Sequence, residues 1–419
     1  ADDPTEPAPP PFAREQVWVT ALAGPSYLGV EWRALGGFMA EGTFGPVGFG
    51  LEGRLRAGAD GLYDEDADEL YDLLRLVRYA RYAPRTIPVY ARVGPLNGLT
   101  LGYGHLVRSY ASTAAWEDRT VGAEAAVRFP FLEVAGFTGD LLLDAPVGGR
   151  VTLAPLAFSP SPRLRSARLG ATVVSDFSVA SDLRPTAFAV DGAFTLLTLG
   201  DFALAPFASY ARFTEYGSSY GVGAEFGNDD LIGLGRLYAS LGFFRNEDAF
   251  RPGYFGPFYA VSNPEAQIWD ADAFYDDRSD FEPASRLLTD IDSGTSILFS
   301  LRAVVFDAFE FAQYIRRDYN DTNTSEAGLR FVFSPERGRN LRFVFEVQRQ
   351  GLSNFWSFFS DLTDENVLVF HLDYAISGPV RLHLRSRYGY REESGEPDGT
   401  ERFLVQRRFE PMVGFTYGF

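Results

Sequence analysis

The chain ends in Pro411-Met412-Val413-Gly414-Phe415-Thr416-Tyr417-Gly418-Phe419, a stretch in which large and small side chains alternate. Val413, Phe415, Tyr417 and Phe419 share one parity and are apolar or aromatic, whereas the residues between them are small or weakly apolar. A period of two places successive side chains on opposite faces of a β-strand. The stretch therefore predicts a strand with one apolar face.

This terminal pattern resembles the C-terminal signal of bacterial outer-membrane β-barrel proteins. In that family the last strand ends in Phe, has hydrophobic residues at alternate positions before it, and is read by the barrel-assembly machinery. The resemblance implies that Val413, Phe415, Tyr417 and Phe419 form an assembly signal in this chain. It also implies a location in the outer membrane of a Gram-negative bacterium. An ordinary last strand of a soluble β-protein is the alternative interpretation.

The composition of the 419-residue chain excludes one class of membrane protein and agrees with another. The hydrophobic content is an ordinary 46%, and the mean hydropathy is −0.10. The sequence contains no run of about 18 apolar residues, the length that a transmembrane helix needs. A transmembrane barrel carries a weaker signal, because only alternate residues of each strand face lipid. The high aromatic content of 15% fits such strands and their interfacial aromatic belts.

Charge and cysteine content restrict the function further. The net charge is −18, all 38 basic residues are arginine, and cysteine is absent. An acidic chain without a basic patch does not favour nucleic acid. Without cysteine the chain has no disulfides, thiolate metal sites or Cys nucleophile. The chain begins Ala-Asp-Asp rather than Met, which is typical of a processed, mature N-terminus.

From Arg119 onward, strand-like stretches of about ten residues follow one another, as expected for tilted strands that cross a bilayer. Fifteen such stretches are predicted: 119–129, 131–142, 148–158, 164–176, 185–195, 200–212, 218–227, 236–246, 294–305, 308–318, 326–334, 340–350, 366–376, 379–391 and 403–419. A further stretch, 99–110, makes the number even.

The connections between these stretches alternate between short and long. Short connections are predicted at 129–131, 159–162, 198–199, 306–307, 335–339 and 377–378. Long polar connections are predicted at 176–184, 213–217, 247–292, 319–325, 351–365 and 392–400. Short turns on one rim and long loops on the other are typical of outer-membrane barrels. The sequence therefore predicts an all-β fold, an antiparallel transmembrane barrel of about 16 strands, within a range of 14 to 18.

The N-terminal part is predicted to be organised differently. Residues 1–15 are Pro-rich and acidic and are expected to form a periplasmic tail. Residues 16–98 contain strand-like stretches and a segment, 70–82, with apolar residues at helical spacing, although a strand pattern also fits it. This section is a candidate plug or cap for the lumen of a barrel formed by residues 99–419, whose long extracellular loop covers 247–292. Alternatively, two of its stretches join the wall and raise the number of strands to 18.

Parity also predicts the residues that line the lumen. Charged side chains alternate with large apolar ones in four consecutive strands near the C-terminus. An arginine facing lipid at the midplane costs about 2–4 kcal/mol, so the charged face must line a wet interior. The predicted pore-lining residues are Arg330, Arg342, Glu346, His371, Asp373, Arg381, His383, Arg385 and Arg387.

Two interpretations of this arginine-rich wall remain open. The arginines either form an ion-selective lining, or they pair with carboxylates such as Glu346 and Asp373 in a network that only satisfies a polar interior. The histidines offer too few ligands for a metal site. The acidic segment 270–282 lacks the spacing and glycine of a known calcium loop. No set of residues suggests an enzyme, and no cofactor or metal is expected.

The sequence thus predicts a porin-like channel for small polar or anionic solutes. The alternative function is a non-conducting structural barrel that anchors or docks a cell-surface protein assembly, with the loop 247–292 and the Pro-rich tail as docking elements. The expected partners are outer-membrane lipid and the barrel-assembly machinery. A surface or periplasmic protein is a further candidate partner, and nucleic acid is not.

Overall fold

The structure is a computed structural model, and it describes most of the chain. The described residues are 16–418 except 64–65, 67–69, 84–87, 180, 182–183, 232, 263–265, 270–280, 283–287, 320–324, 335–340, 353–357, 359–365 and 393–400. The Pro-rich tail, Phe419 and residues 270–280 of the acidic segment therefore lie outside the described residues.

Twenty antiparallel strands of the described part of the chain form a closed barrel. The wall strands are β1 (Gln16–Leu28), β2 (Glu31–Phe44), β3 (Val47–Gly58), β5 (Val77–Tyr82), β6 (Val89–Gly94), β9 (Gly122–Arg128), β10 (Leu132–Thr138), β11 (Pro146–Leu153), β12 (Arg168–Asp176), β13 (Thr186–Ala193), β15 (Phe202–Phe213), β16 (Ser218–Asn228), β17 (Gly235–Asn246), β20 (Gly294–Val305), β21 (Phe309–Asp318), β22 (Glu326–Phe333), β23 (Leu341–Gln350), β24 (Asn366–Ser377), β25 (Val380–Glu392) and β26 (Glu401–Gly418). Each strand pairs with its neighbours in this order, and β26 pairs with β1 to close the ring.

The remaining elements are short. The short strands are β4 (Gly61–Leu62), β7 (Asn97–Leu99), β8 (Tyr110–Ala111), β14 (Leu197–Leu199), β18 (Ala266–Trp269) and β19 (Phe281–Glu282). Two single helical turns, α1 (Asp72–Arg75) and α2 (Pro162–Arg165), and two 3₁₀ turns, Tyr259–Val261 and Leu288–Asp290, complete the described structure. None of the helices among the described residues is long and apolar enough to cross a membrane.

The predicted barrel is confirmed, but the expected number of about 16 strands is wrong. Five of the 20 wall strands come from residues 16–94, the part that was a candidate plug or cap for the lumen. Conversely, the stretch 99–110 is not a wall strand. Gly102 and Gly104 adopt positive φ angles of 56° and 73°, so the chain turns there instead of extending. Its apolar side chains are buried inside the barrel and imitate the pattern of a membrane strand.

The segment 70–82 combines the two interpretations that its sequence allows. Helical geometry is limited to the single turn α1, and the chain then enters the wall as β5. In the wall, Tyr79 pairs with Gly50 and Tyr82 with Val47 of β3. The backbone N–H and C=O groups of β5 are hydrogen-bonded to the edge of β3 that β2 does not occupy. Tertiary contacts of this kind override a weak preference of the sequence for helix.

The connections follow the predicted alternation of short and long with two exceptions. The tight turn 29–30 lies on the rim of the long loops, and the connection 154–167, predicted as the short turn 159–162, is long and contains a helical turn. Both ends of the described chain lie on one rim, here called the short-turn rim, together with tight turns such as 45–46 and 378–379. The connections 59–76, 95–121, 177–185 and 247–293 leave the opposite rim, here called the long-loop rim. The orientation follows from parity, since an even number of antiparallel strands returns the chain to the rim where it began.

The outer face of the barrel is apolar and aromatic. The rings of Phe331 and Phe343 pack edge to face with 5.8 Å between their centres, and the rings of Phe343 and Phe370 do the same at 5.2 Å. Phe415 and Tyr417 also project outward, with 59% and 66% of their surfaces exposed. Such exposed rings would be costly in water and are typical of a surface covered by lipid.

Candidate functional site

Residues 95–121, here called the inserted segment, cross the inside of the barrel. The segment leaves β6 at the long-loop rim, and its contacts reach strands on different sides of the ring. Arg108 donates a hydrogen bond to the carbonyl oxygen of Phe299 in β20 at 2.7 Å. On another side, the backbone nitrogen of Tyr390 in β25 donates to the carbonyl oxygen of Ala114 at 3.2 Å. These contacts divide the lumen into smaller spaces.

His105 fixes the tip of the inserted segment to the wall. Its Nδ1 lies 3.0 Å from the hydroxyl oxygen of Ser209, and its Nε2 lies 3.0 Å from that of Ser219. The rings of Phe244 and Phe250 pack edge-on against the imidazole. Burial in this apolar surrounding lowers the pKa of His105 to about 3, so the imidazole is neutral at neutral pH.

A second loop, residues 248–262, packs on the inserted segment. The backbone nitrogen of Phe255 donates to the carbonyl oxygen of Leu106 at 3.1 Å, and the nitrogen of Arg108 donates to the carbonyl oxygen of Phe255 at 3.1 Å. Arg316 on β21 donates to the carbonyl oxygen of Pro252 at 3.2 Å. The described beginning of the long loop is therefore folded into the barrel and narrows it.

Below these loops lies a cavity of about 170 Å³, here called the basic cavity. Nine arginines and three carboxylates line it: Arg54, Arg78, Arg92, Arg119, Arg330, Arg342, Arg385, Arg387 and Arg408, with Glu52, Glu346 and Asp373. Positive charge thus dominates the middle of the lumen, although the whole chain has a net charge of −18.

The structure brings seven of the nine residues predicted from parity to this cavity. These seven are Arg330, Arg342, Glu346, His371, Asp373, Arg385 and Arg387. His383 and Arg381 do not line it. The buried His383 instead has its Nδ1 2.6 Å from Asp373, which also binds Arg385 at 3.0 Å. Arg381 lies opposite Ala375 and Gly414, closer to the short-turn rim.

Several of the arginines are neutralised by carboxylates. Arg54 forms ion pairs with Glu52 and with Glu410, and Arg408 pairs with Glu410 at 2.8 Å. Arg78 pairs with Glu41 at 2.7 Å. This part of the wall is the network that a polar interior requires.

Four arginines of the basic cavity are different, because they make no ion pair among the described residues: Arg119, Arg330, Arg342 and Arg387. The Nε atoms of Arg330, Arg342 and Arg387 are also buried without a hydrogen-bond partner in the described part of the chain. Trp116 lies between Arg119 and Arg387, whose Cζ atoms are 4.5 and 4.9 Å from the ring centre. Guanidinium groups that line a cavity and lack a carboxylate partner are available to an anion.

Parity reasoning missed several residues of the cavity. In β3, the charged residues Glu52 and Arg54 occupy alternate positions, and in β26 Arg408 has the same parity as Glu410. The alternation of charged residues that identified the other lining residues is therefore also present in these two strands. Arg119 and Trp116 belong to the inserted segment. Their position depends on how that segment folds across the lumen, which strand periodicity does not reveal.

The basic cavity is one of four cavities that share lining residues with one another. At the long-loop rim a cavity of about 630 Å³ is lined by Asp118, Asp140, Asp144 and Asp176. It shares Arg75 with a narrow cavity of about 60 Å³. That cavity shares residues 52, 54, 116, 119 and 408 with the basic cavity. The basic cavity in turn shares residues 97, 330 and 346 with a chamber of about 490 Å³ towards the short-turn rim.

Comparison with known proteins gives only distant similarities. No family model matches the chain, and no curated protein matches it. Among solved structures, the outer membrane protein opdK from Pseudomonas aeruginosa aligns over 97% of this chain and 100% of its own, with 12% identity and a TM-score of 0.33. OccAB3 of Acinetobacter baumannii aligns over 97% and 100%, with 12% identity and a TM-score of 0.34. OpdL of Pseudomonas aeruginosa aligns over 96% and 98%, with 12% identity and a TM-score of 0.35. The barrel itself is established by the strand pairings of this chain.

Proposed function

We propose that the chain is an outer-membrane channel for small anionic solutes. The observation that carries the proposal is the basic cavity, in which four of nine arginines have no carboxylate partner among the described residues. A structural network alone would neutralise its charges, since an unpaired buried charge is costly. Guanidinium groups that are held in place without a carboxylate partner replace part of the hydration shell of an entering anion.

The membrane location is supported by the outer surface. Apolar and aromatic side chains project outward around the wall, and the arginines of the C-terminal strands project inward. An irregular segment such as 95–121 is tolerated at membrane depth only inside the protein, which is where the inserted segment lies. Within this setting the short-turn rim would face the periplasm and the long-loop rim the cell exterior.

The two loops inside the barrel make the proposed channel selective rather than wide. A barrel of 16 to 18 strands already leaves an aqueous channel, and this one has 20. The inserted segment lines the basic cavity of about 170 Å³ in the middle of the lumen, and loop 248–262 packs on that segment. Because loop 248–262 is folded inward, it supports the role of a constriction better than that of a docking element.

Electrical recording of the purified protein in planar bilayers tests the proposal. Under a gradient of potassium chloride, the reversal potential of an anion-selective channel has the sign expected for chloride permeation. A small single-channel conductance is expected in addition, because the lumen is narrow. Correctly folded protein that conducts no ions would refute the channel and favour the structural barrel. Conduction with cation preference would refute the role of the arginines.

A further inference from the structure

The connection between β11 and β12, residues 154–167, differs from the other connections of the short-turn rim. It is the longest of them and contains α2. It exposes large apolar side chains, among which Phe158 has 80% of its surface exposed, while Leu156 and Leu164 are also exposed. Exposed apolar groups of this size normally mark a surface that something covers.

The apolar side chains of this connection continue the apolar outer wall. The ring of Phe158 packs 6.2 Å from that of Phe131, and Phe131 stacks 6.3 Å from Phe129 in the neighbouring turn. The wall strands that lead into the connection expose Leu153 and Leu169 outward. The patch is therefore an extension of the surface that lipid covers, beyond the ends of the strands.

The charge of this region is opposite to that of the whole chain. Residues 145–175 contain four arginines and no acidic residue, whereas the net charge of the chain is −18. Arg150 is bound to Asp191, and Arg168 donates to the carbonyl oxygen of Arg165 at 2.9 Å. Arg163 and Arg165 are exposed and make no ion pair among the described residues. Two free cations thus stand beside an apolar patch at the membrane boundary.

We propose that residues 154–167 form a lipid anchor at the short-turn rim. Phe158, Leu156 and Leu164 enter the boundary between headgroups and acyl chains, and Arg163 and Arg165 bind the phosphate of an anionic phospholipid in the adjacent leaflet. Aromatic side chains favour this boundary, and basic residues near an anionic membrane surface are attracted to it. The inference rests on the proposed membrane location, and it does not require that the barrel conducts.

Because the chain has no cysteine, a single introduced cysteine can be labelled to measure how deeply residue 158 lies in the membrane. A nitroxide label is attached to F158C in vesicles that contain phosphatidylglycerol, and its collision rates with oxygen and with a water-soluble nickel complex are compared. The label is expected to be accessible to oxygen and shielded from nickel. The matched control is D230C, on an exposed connection of the same rim, which is expected to be open to nickel. Equal nickel accessibility at both sites would overturn the anchor, as would shielding of residue 158 from both reagents, which would indicate a protein partner.

The role of the arginines is tested by lipid retention. The R163A/R165A variant and wild type are extracted from mixed phosphatidylglycerol and phosphatidylcholine vesicles, and retained lipid is counted by native mass spectrometry. Retention of phosphatidylglycerol over phosphatidylcholine is expected to fall about fivefold for each arginine removed. The control R236A removes an exposed arginine of the same rim that is paired with Asp307, and should leave retention unchanged. Unchanged retention in R163A/R165A would overturn the phosphate site.

The same samples separate this inference from the proposed function. If R163A/R165A loses the lipid preference but remains anion-selective in bilayers, the anchor and the channel both stand. If lipid retention behaves as expected but wild type conducts no ions, only the channel is refuted.

Discussion

Val107 and Phe255 form a parallel backbone bridge inside the barrel. Val107 belongs to the inserted segment and Phe255 to the loop after β17, so two loops from the same rim meet as a small internal sheet. Both residues are fully buried, within a cluster that also contains Phe213 and Tyr259. Each loop supplies backbone hydrogen-bond partners to the other.

Replacing Phe255 with alanine should therefore loosen the constriction. Loss of a buried phenylalanine costs about 3–5 kcal/mol of local packing. The F255A variant is expected to show a higher single-channel conductance and faster proteolysis within loop 248–262. The control F188A removes a phenylalanine from the outer face of the wall and should change neither. Unchanged conductance in F255A would mean that this loop does not limit the passage.

Reversal of two unpaired arginines should change the ion preference. In R330E/R342E, two guanidinium groups of the basic cavity become carboxylates. The ratio of anion to cation permeability is expected to fall about tenfold or more, since one charge contributes about 4 kcal/mol at 4 Å in a medium of effective dielectric 20. Reversal potentials in a salt gradient measure this ratio. The control R236E, at the exposed short-turn rim, should have a small effect. An unchanged reversal potential would assign both arginines to structure.

Because His105 is neutral in the folded state, the stability of the contacts that fix the inserted segment to the wall should depend on pH. Burial lowers its pKa to about 3 from an ordinary 6.5, so the folded state binds the proton more weakly than the unfolded state. Its contribution to stability is therefore complete above pH 6.5 and is lost as the pH falls towards 3. Between pH 7.5 and pH 4.5 the loss is about 2–3 kcal/mol. Proteolysis within 95–121 should increase accordingly, and H105N, which does not titrate, should lack this component. Equal pH dependence in H105N would contradict the assignment.

The outward aromatic residues of the last strand should be needed for assembly. In F415S/Y417S two exposed rings of β26 become small and polar, which removes lipid-facing surface and the predicted assembly signal. The amount of heat-modifiable, membrane-embedded protein is expected to fall severalfold. The control T416S changes the inward-facing neighbour and keeps the hydroxyl that lies 2.8 Å from that of Thr20. Normal amounts of the folded double variant would argue against the signal.

Local periodicity predicts the wall well where one face meets lipid and the other meets water. In β23, Phe343 and Phe345 alternate with Arg342 and Glu346; the strand lies within the predicted stretch 340–350, and Arg342 and Glu346 line the basic cavity. The same rule failed at 99–110, since a loop buried inside a barrel also contains regularly spaced apolar residues. The spacing of apolar residues alone therefore does not distinguish a side chain that is covered by lipid from one that is covered by other parts of the protein.

The composition of the basic cavity shows the same limit. Arg330 and Asp373 reach it because strand register brings their inward faces together, and register follows from parity. Trp116 and Arg119 reach it because the inserted segment crosses the ring, held by contacts more than 80 residues away in sequence, such as that between His105 and Ser209. Long-range contacts of this kind have no local signal.

The hydrogen bond between Thr20 and Thr416 joins residues 396 positions apart, at the seam where the first strand meets the last. Bringing together chain ends this distant in sequence lowers the conformational entropy of the chain before the contacts between β1 and β26 stabilise the closed ring. Until that seam closes, every intermediate has two unpaired strand edges, each able to pair with another chain. We therefore expect closure of the seam to be slow and sensitive to aggregation, and a factor that shields the two strand edges until they meet should raise the yield of folded protein.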